Sequence, residues 1–275
     1  MIYLSAIVLG VLQGIAEFLP ISSSGHILVG ADLLGGEPPL NGEPASGSLR
    51  TADFNLAVHL GTLGSIVVVY RETLWRRRAD LALWTRVAVS TLPLVFVGLL
   101  AKDAVERALE APQYVGFFWL LTAGLLAAIP VLEPKAAAGG EPDALPGRDL
   151  DRISWLDAVV IGLVQCVAIL PGVSRSGSTI FAGCARGLSR TAAADYSFFI
   201  AIPAIGGAAV LHAKDVAEEG LATPAPVLLL GAVVAFAVGV AALKLLLAVV
   251  AKGRIQWFAA YCGAAGLAAL AYYWG

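Results

Sequence analysis

The sequence predicts an all-α integral membrane protein built as an inverted internal repeat, with six transmembrane helices and two re-entrant helix–break–helix hairpins. Three observations carry that expectation. The 275 residues are 59% hydrophobic and only 14% charged, far too apolar for a soluble domain. Six apolar runs are long enough to span a bilayer, which takes about 20 residues. Two segments, 6–27 and 158–179, repeat one pattern of apolar helix followed by a proline, serine and glycine break, offset by 152 (165 − 13, from Gln165 and Gln13).

Residues 1–133 form the first repeat, and its hairpin is 2–33. Gly10, Gln13, Gly14 and Glu17 lie three or four apart, on one helical face. The helix must stop near Pro20, which has no N–H to continue the ladder, and Ser22-Ser23-Ser24-Gly25-His26 follows. Spans are expected at 53–70, 84–102 and 114–133, and 134–153 reads as a linker. The second repeat, 154–275, opens with the hairpin 154–188 and continues with spans at 192–212, 225–249 and 255–274. Broken backbone at membrane depth survives only when buried in protein or lining a polar cavity, so both hairpins read as re-entrant. A further match, Ala52-Asp53-Phe54 with Ala194-Asp195-Tyr196, follows each copy, and the two aspartates read as helix starts.

Three spans per repeat is an odd number, so the second repeat must sit upside down relative to the first. Placing 71–83 in the cytoplasm puts Arg71, Arg76, Arg77, Arg78, Arg86, Lys135, Arg148, Arg152, Arg186, Arg190, Lys252 and Arg254 inside. Arg50, Lys102, Arg107 and Lys214 fall outside, which satisfies the positive-inside rule. Both termini and the first hairpin then face outward. The first residues lack a basic segment and a small-residue cleavage site, so they read as mature protein.

Composition also excludes partners. A net charge of −2 leaves no basic footprint, so nucleic acid is not expected. Cys166, Cys184 and Cys262 have no metal-ligand spacing and read as packing residues.

The duplication acts as an internal control on the chemistry. Positions that match between copies (Gln13/Gln165, Ser22/Ser174, Ser24/Ser176, Gly25/Gly177) can be what the hairpin fold requires. Positions that differ cannot all be. Glu17 faces Ile169, Ser23 faces Arg175, and His26 faces Ser178. Ionisable groups inside a membrane default to a functional reading. These types suit phosphoryl transfer. Arg offers a planar donor fork matched to phosphate oxygens. Serine and threonine hydroxyls with glycine-permitted amides form an anion nest. Serine is a nucleophile when a base such as histidine lies in reach, and Glu17 with Gln13 suits a divalent cation on a diphosphate. The structural alternatives are an internal Glu17–Arg175 ion pair and serines that merely satisfy broken backbone. His59 and His212 show no partner pattern and read as structural or interfacial.

Gln13-Gly14-Ile15-Ala16-Glu17-Phe18-Leu19-Pro20-Ile21-Ser22-Ser23-Ser24-Gly25-His26, together with Pro171-Gly172-Val173-Ser174-Arg175-Ser176-Gly177-Ser178-Thr179, resembles the undecaprenyl-diphosphate phosphatase family of the bacitracin-resistance type, and the resemblance covers nearly the whole chain. It implies hydrolysis of undecaprenyl diphosphate to the monophosphate and inorganic phosphate, recycling the carrier lipid for peptidoglycan synthesis in the bacterial inner membrane. It implies Glu17, Ser23, His26 and Arg175 as the catalytic core. Gln13, Ser22, Ser24, Gly25, Ser174, Ser176, Gly177 and Thr179 would bind substrate, and a divalent cation (Mg2+ or Ca2+) would sit at Glu17. The family's E/Q-x-x-x-E pattern begins with Gln13 here, which leaves Glu17 as the main ligand. The implied partners are the lipid substrate and the bilayer, with a homodimer left open.

Two other phosphatase patterns fail. The phosphatidate-phosphatase type shares Ser24-Gly25-His26 and Ser174-Arg175, but there is no Arg-Pro dipeptide and Phe181 stands where its histidine belongs. A cysteine-based loop would need its cysteine closer to Arg175 than Cys166. The remaining rival is a lipid-phosphate transporter, since opposed broken helices are also transporter architecture.

Overall fold

The structure, a computed structural model, describes residues 2–33, 51–100, 111–132, 147–221 and 223–275. The expectations for 34–50, for linker residues 134–146, and for Lys102 and Arg107 lie outside those residues. The described chain is helical, without a named strand. Its helices are α1 (Ile2–Ala16), α2 (Ser23–Leu33), α3 (Thr51–Val69), α4 (Arg71–Arg77), α5 (Leu81–Leu100), α6 (Val115–Leu132), α7 (Trp155–Val167), α8 (Arg175–Ala185), α9 (Arg190–Glu219), α10 (Ala225–Ala251) and α11 (Gln256–Trp274).

By length and composition, four helices among the described residues can cross a membrane: Leu81–Gly98, Pro112–Leu132, Arg190–Val210 and Ala225–Ala251. Asp53–Val69 and Arg71–Arg77, bent by 72°, make a fifth if they count as one span. The sixth expected span, 255–274, is present as α11. By length and composition it is not among the helices that can cross a membrane.

Each hairpin breaks where its proline and serines stand. After α1 the chain turns through Pro20 and reaches Ser22 at φ 67°, a left-handed conformation that a non-glycine residue adopts only when its surroundings hold it. Here they do: the Ser22 hydroxyl accepts the backbone N–H of Gly25 at 3.4 Å and of Gly172, in the other hairpin, at 3.0 Å. In the second break Ser174 caps α8 by accepting the Gly177 N–H at 3.1 Å. Gly172 sits at φ 104°, and a Cβ there would lie 2.8 Å from the Val115 carbonyl oxygen. Ser22/Ser24 and Ser174/Ser176 repeat the same hydroxyl pairing, at 3.3 and 3.2 Å. The matching serines therefore perform matching backbone work.

Small residues bring the site-bearing helices together. A Cβ on Gly10 or Gly14 of α1 would meet the Gly231 or Ala235 carbonyl oxygen of α10 at 2.9 and 2.8 Å. Gly61 of α3 is closed off in the same way by Ala232. Close backbone approach of this kind is how helices associate in lipid, where tails offer no hydrophobic contrast. It places α1 and α3 side by side on one helix, which matters for the site. In the second half, Gly162 of α7 lies against the Ser90 carbonyl oxygen of α5, 2.5 Å from where a Cβ would be. The Ser90 hydroxyl donates to the Ala158 oxygen at 2.7 Å.

α6 ties both breaks. Trp119 Nε1 donates to the Ile21 oxygen at 3.0 Å, while the Thr122 hydroxyl donates to the Gly172 oxygen at 2.9 Å and accepts from the Ser174 N–H at 3.1 Å. At the base of the second hairpin, Asp157 is fully buried. It accepts from Arg148 Nη1 at 2.8 Å and Arg186 Nε at 2.9 Å, and it completes a capping box with Ser154. Asp53 lies in the first turn of α3 as expected. Asp195 does not start a helix: it lies within α9, beyond its first turn, and accepts the Tyr70 hydroxyl at 2.8 Å.

Candidate active site

The two breaks meet around a cavity of about 170 Å³ lined by Ala16, Glu17, Ser22, Ser23, Ser24, Ala168, Val173, Ser174 and Arg175. Each break contributes because its helix ends there. Glu17 follows the last residue of α1, Ser23 begins α2, and Arg175 begins α8.

Arg175 and Glu17 lie 158 positions apart, in different hairpins, and Arg175 Nη2 donates to Glu17 Oε1 at 2.6 Å. Their side chains are 16% and 10% exposed, so the pair is screened little by solvent. Only one arm of the guanidinium is used. Among the described residues the buried Nη1 has no hydrogen-bond partner, a costly state for a charged donor unless an anion meets it.

The other Glu17 oxygen belongs to a second chain of contacts. Gln13 Nε2 donates to Glu17 Oε2 at 3.0 Å and lies 3.3 Å from His59 Nε2. His59 Nδ1 lies 2.7 Å from the Asn55 carbonyl oxygen. That oxygen only accepts, so Nδ1 carries the proton and Nε2 accepts from the Gln13 amide. The arrangement orients Gln13 with its NH2 toward both neighbours. His59 was read from sequence as structural or interfacial. The fold instead places it 3.9 Å from Glu17, because α1 and α3 share the small-residue face of α10. No spacing rule links residues 13 and 59, so the sequence held no signal for it.

Of the three serines in the first break, Ser22 and Ser24 engage each other. Ser23 lines the cavity, and its hydroxyl makes no hydrogen bond among the described residues. His26 is not brought to it. Its Nδ1 lies 2.7 Å from the Ser22 oxygen and its Nε2 lies 2.6 Å from the Tyr261 hydroxyl. The expected hydrogen-bonded Ser23–His26 pair is therefore absent from this arrangement, with both ring nitrogens committed elsewhere.

The residues expected to bind substrate divide in the same way. Ser22, Ser24 and Ser174 line the cavity, whereas Gln13, Gly25, Ser176, Gly177 and Thr179 stand behind it. Thr179 is the clearest case: its buried hydroxyl donates to the Arg175 carbonyl oxygen at 2.7 Å and contacts Ser197 Oγ at 2.6 Å. That pins the start of α8 to α9.

Comparison with known proteins bears on the whole chain. The family model described as bacitracin resistance protein BacA matches residues 6–268. The undecaprenyl-diphosphatase of Rhodopirellula baltica is 39% identical over 266 residues, covering 95% of this chain and 94% of the relative. That of Parabacteroides distasonis is 36% identical over 284 residues, with 98% of each chain covered. That of Desulfatibacillum aliphaticivorans is 33% identical, again with 98% of each covered.

Proposed function

The chain belongs to the BacA family of bacitracin resistance proteins, and on that premise we infer that it hydrolyses undecaprenyl diphosphate to undecaprenyl phosphate and inorganic phosphate. Its product is the carrier lipid returned for peptidoglycan synthesis, and bacitracin resistance fits the family. The observation that carries the reading at the level of residues is Arg175, with one arm fixed on Glu17 and Nη1 unpaired at a cavity lined by serine hydroxyls.

In this mechanism Nη1 takes an oxygen of the terminal phosphoryl group, and the Ser23 hydroxyl attacks its phosphorus. The Ser23 Oγ–P bond forms as the anhydride P–O bond breaks, the Ser23 proton passes to Glu17, and undecaprenyl phosphate leaves. Water then releases inorganic phosphate from the serine. Ser23 is preferred to His26 as the attacking group because it lines the cavity and its hydroxyl makes no hydrogen bond among the described residues, whereas both His26 ring nitrogens are engaged. Ser22 ties the first break to Gly172 of the second, Ser174 caps α8, and Gln13 with His59 orients Glu17.

A divalent cation, Mg2+ or Ca2+, belongs to the same proposal. The described residues contain no group of three or more His, Cys, Asp or Glu that would hold a metal unaided. Glu17 is the sole carboxylate in the cavity lining. Such a donor set fits a cation that substrate phosphates help to hold, as Mg2+ commonly does. Glu17 would hold it, and it would offset the charge of the diphosphate. Purified protein in detergent is therefore expected to release inorganic phosphate from the lipid diphosphate. Chelation should stop that release and added Mg2+ or Ca2+ should restore it. Lipid binding without any release would favour the transporter, and full activity in excess chelator would remove the cation.

The charge distribution supports the finer topology. With α3 and α11 as additional crossings there are six spans and two re-entrant hairpins, the second repeat inverted, and the site opens to the outer side of the inner membrane. A cysteine in place of Glu43 should react with an impermeant thiol reagent on intact cells, and one in place of Arg76 only after lysis. The opposite pattern would overturn the orientation.

A further inference from the structure

One end of the helix bundle carries three arginines that stand over exposed tryptophans. The structure joins the segments of that end directly. Arg77 meets Asp151, tying α4 to the residues before α7. The Arg148 N–H donates to the Gly187 oxygen at 2.9 Å, and Arg190 Nη1 stands where a Cβ on Gly253 would be. The basic side chains gathered there fall into three groups. Arg71, Arg77, Arg148 and Arg186 each pair with an aspartate or glutamate. Arg76, Arg152 and Lys252 are exposed, pair with no carboxylate and stand over no aromatic ring among the described residues. Arg78 lies 4.1 Å from the Trp75 ring centroid, and Arg86 and Arg254 lie 5.1 Å from those of Trp155 and Trp257. All three tryptophans are more than half exposed. Among the described residues none of these three arginines meets a carboxylate.

We propose that the three arginine–tryptophan pairs are binding sites for the headgroup phosphate of anionic phospholipids in the leaflet at that end of the molecule. With the orientation proposed above, this is the cytoplasmic leaflet. An indole settles at headgroup depth in a bilayer, and a guanidinium attracted to its face is held at the same depth. Arg78 Nη1 donates to the Trp75 oxygen at 2.6 Å and Arg86 Nη1 to the Ala82 oxygen at 3.0 Å. A guanidinium has further N–H groups beyond the one so used, and its planar fork matches phosphate oxygens two at a time. With no protein carboxylate to take those donors, the complementary charge is that of the lipid. Helix α11 supplies a comparison within the chain. Trp257, at its start, lies under Arg254, whereas Trp274, at its far end, packs against Tyr114 and Phe117 with centroids 6.1 and 6.3 Å apart. Its Nε1 donates to the Gln113 oxygen at 3.0 Å, and among the described residues no cation stands over it. Aromatic side chains thus occupy both ends of α11, but a cation is seated at one end alone. Each pair also stands at or near a different helix terminus, which suits separate headgroups rather than a single protein partner.

Native mass spectrometry of the whole protein, released from micelles holding equal amounts of phosphatidylglycerol and phosphatidylcholine, counts the lipids retained. Both lipids carry the phosphate, but only phosphatidylglycerol keeps a net negative charge. The wild type should retain up to three molecules of phosphatidylglycerol, one for each pair. Each site should favour it over phosphatidylcholine by about fivefold, the worth of one basic group at an anionic surface. Arg78→Gln, Arg86→Gln and Arg254→Gln should each remove one bound phosphatidylglycerol. Together they should bring the two lipids to within about twofold of each other. The triple variant Arg76→Gln, Arg152→Gln and Lys252→Gln removes the same charge from the same end without touching a seated arginine, and it should keep the wild-type count. An equal loss in that variant would make the preference one of net charge and overturn the three sites. So would a wild-type protein that retains both lipids equally, a result that depends on no substitution.

Discussion

Arg175→Ala is expected to lower turnover by about 10²–10³, the usual loss when one preorganised group that stabilises transition-state charge is removed. The geometry gives the reason. Nη2 is committed to Glu17 at 2.6 Å, which aims the guanidinium, and Nη1 is left to meet the phosphoryl oxygen. A lysine ammonium keeps the charge without the planar fork and cannot make the two contacts in fixed directions. Arg175→Lys should therefore remain severely impaired. Removing the cation also strands a carboxylate that is 10% exposed, and breaking a buried pair is itself destabilising. Thermal unfolding should accompany the assay for that reason, with rates referred to the folded fraction. Near-normal hydrolysis by folded Arg175→Ala would remove the centre of this mechanism.

The parts of the molecule written in local sequence were the parts most legible there. Apolar runs and breaker residues are short-range signals, and most long helices fall within a few residues of the expected spans, 84–102 against Leu81–Leu100 and 225–249 against Ala225–Ala251, while Arg190–Glu219 runs past the expected end at 212. The two hairpin breaks lie where Pro20 and Pro171 forbid a continuous ladder. The comparison of the copies also separated two kinds of residue. Ser22 and Ser174, which match, each accept an N–H three residues on. Glu17 and Arg175, which do not match, meet across the cavity. The ion pair first weighed as a structural alternative is present, and it leaves one guanidinium arm for chemistry.

Contacts between helices distant in sequence were not legible. His59 reaches Glu17 only because Gly10, Gly14 and Gly61 let α1 and α3 settle on α10. Glycines at helical spacing announce that two helices approach without naming the partner. His26 is 235 positions from Tyr261. Its nearness to Ser23 along the chain suggested a nucleophile–base pair, but the ring leaves the turn in the other direction. The 72° bend between α3 and α4 likewise has no proline or glycine at residue 70 to announce it.

Ser23→Ala is expected to have the largest effect, a loss on the order of 10³ or more. A nucleophile removed from a group that acts as a unit takes most of the chemistry with it. Among the three serines of the first break it is the one whose hydroxyl no described residue engages, so its replacement should leave both hairpins and the melting temperature nearly unchanged. Combining it with Arg175→Ala should cost much less than the product of the two single losses. The decisive measurement is stereochemical, with a terminal thiophosphoryl group made chiral by one heavy oxygen isotope and hydrolysed in water carrying the other heavy isotope, so that the thiophosphate released is itself chiral. Each in-line displacement inverts phosphorus. Attack by Ser23 followed by water gives two displacements and net retention, whereas direct attack by water gives one and net inversion. Retention, lost together with turnover in Ser23→Ala, is the expected outcome. Inversion would make Ser23 a binding hydroxyl and place the attacking water against Glu17, the only carboxylate lining the cavity.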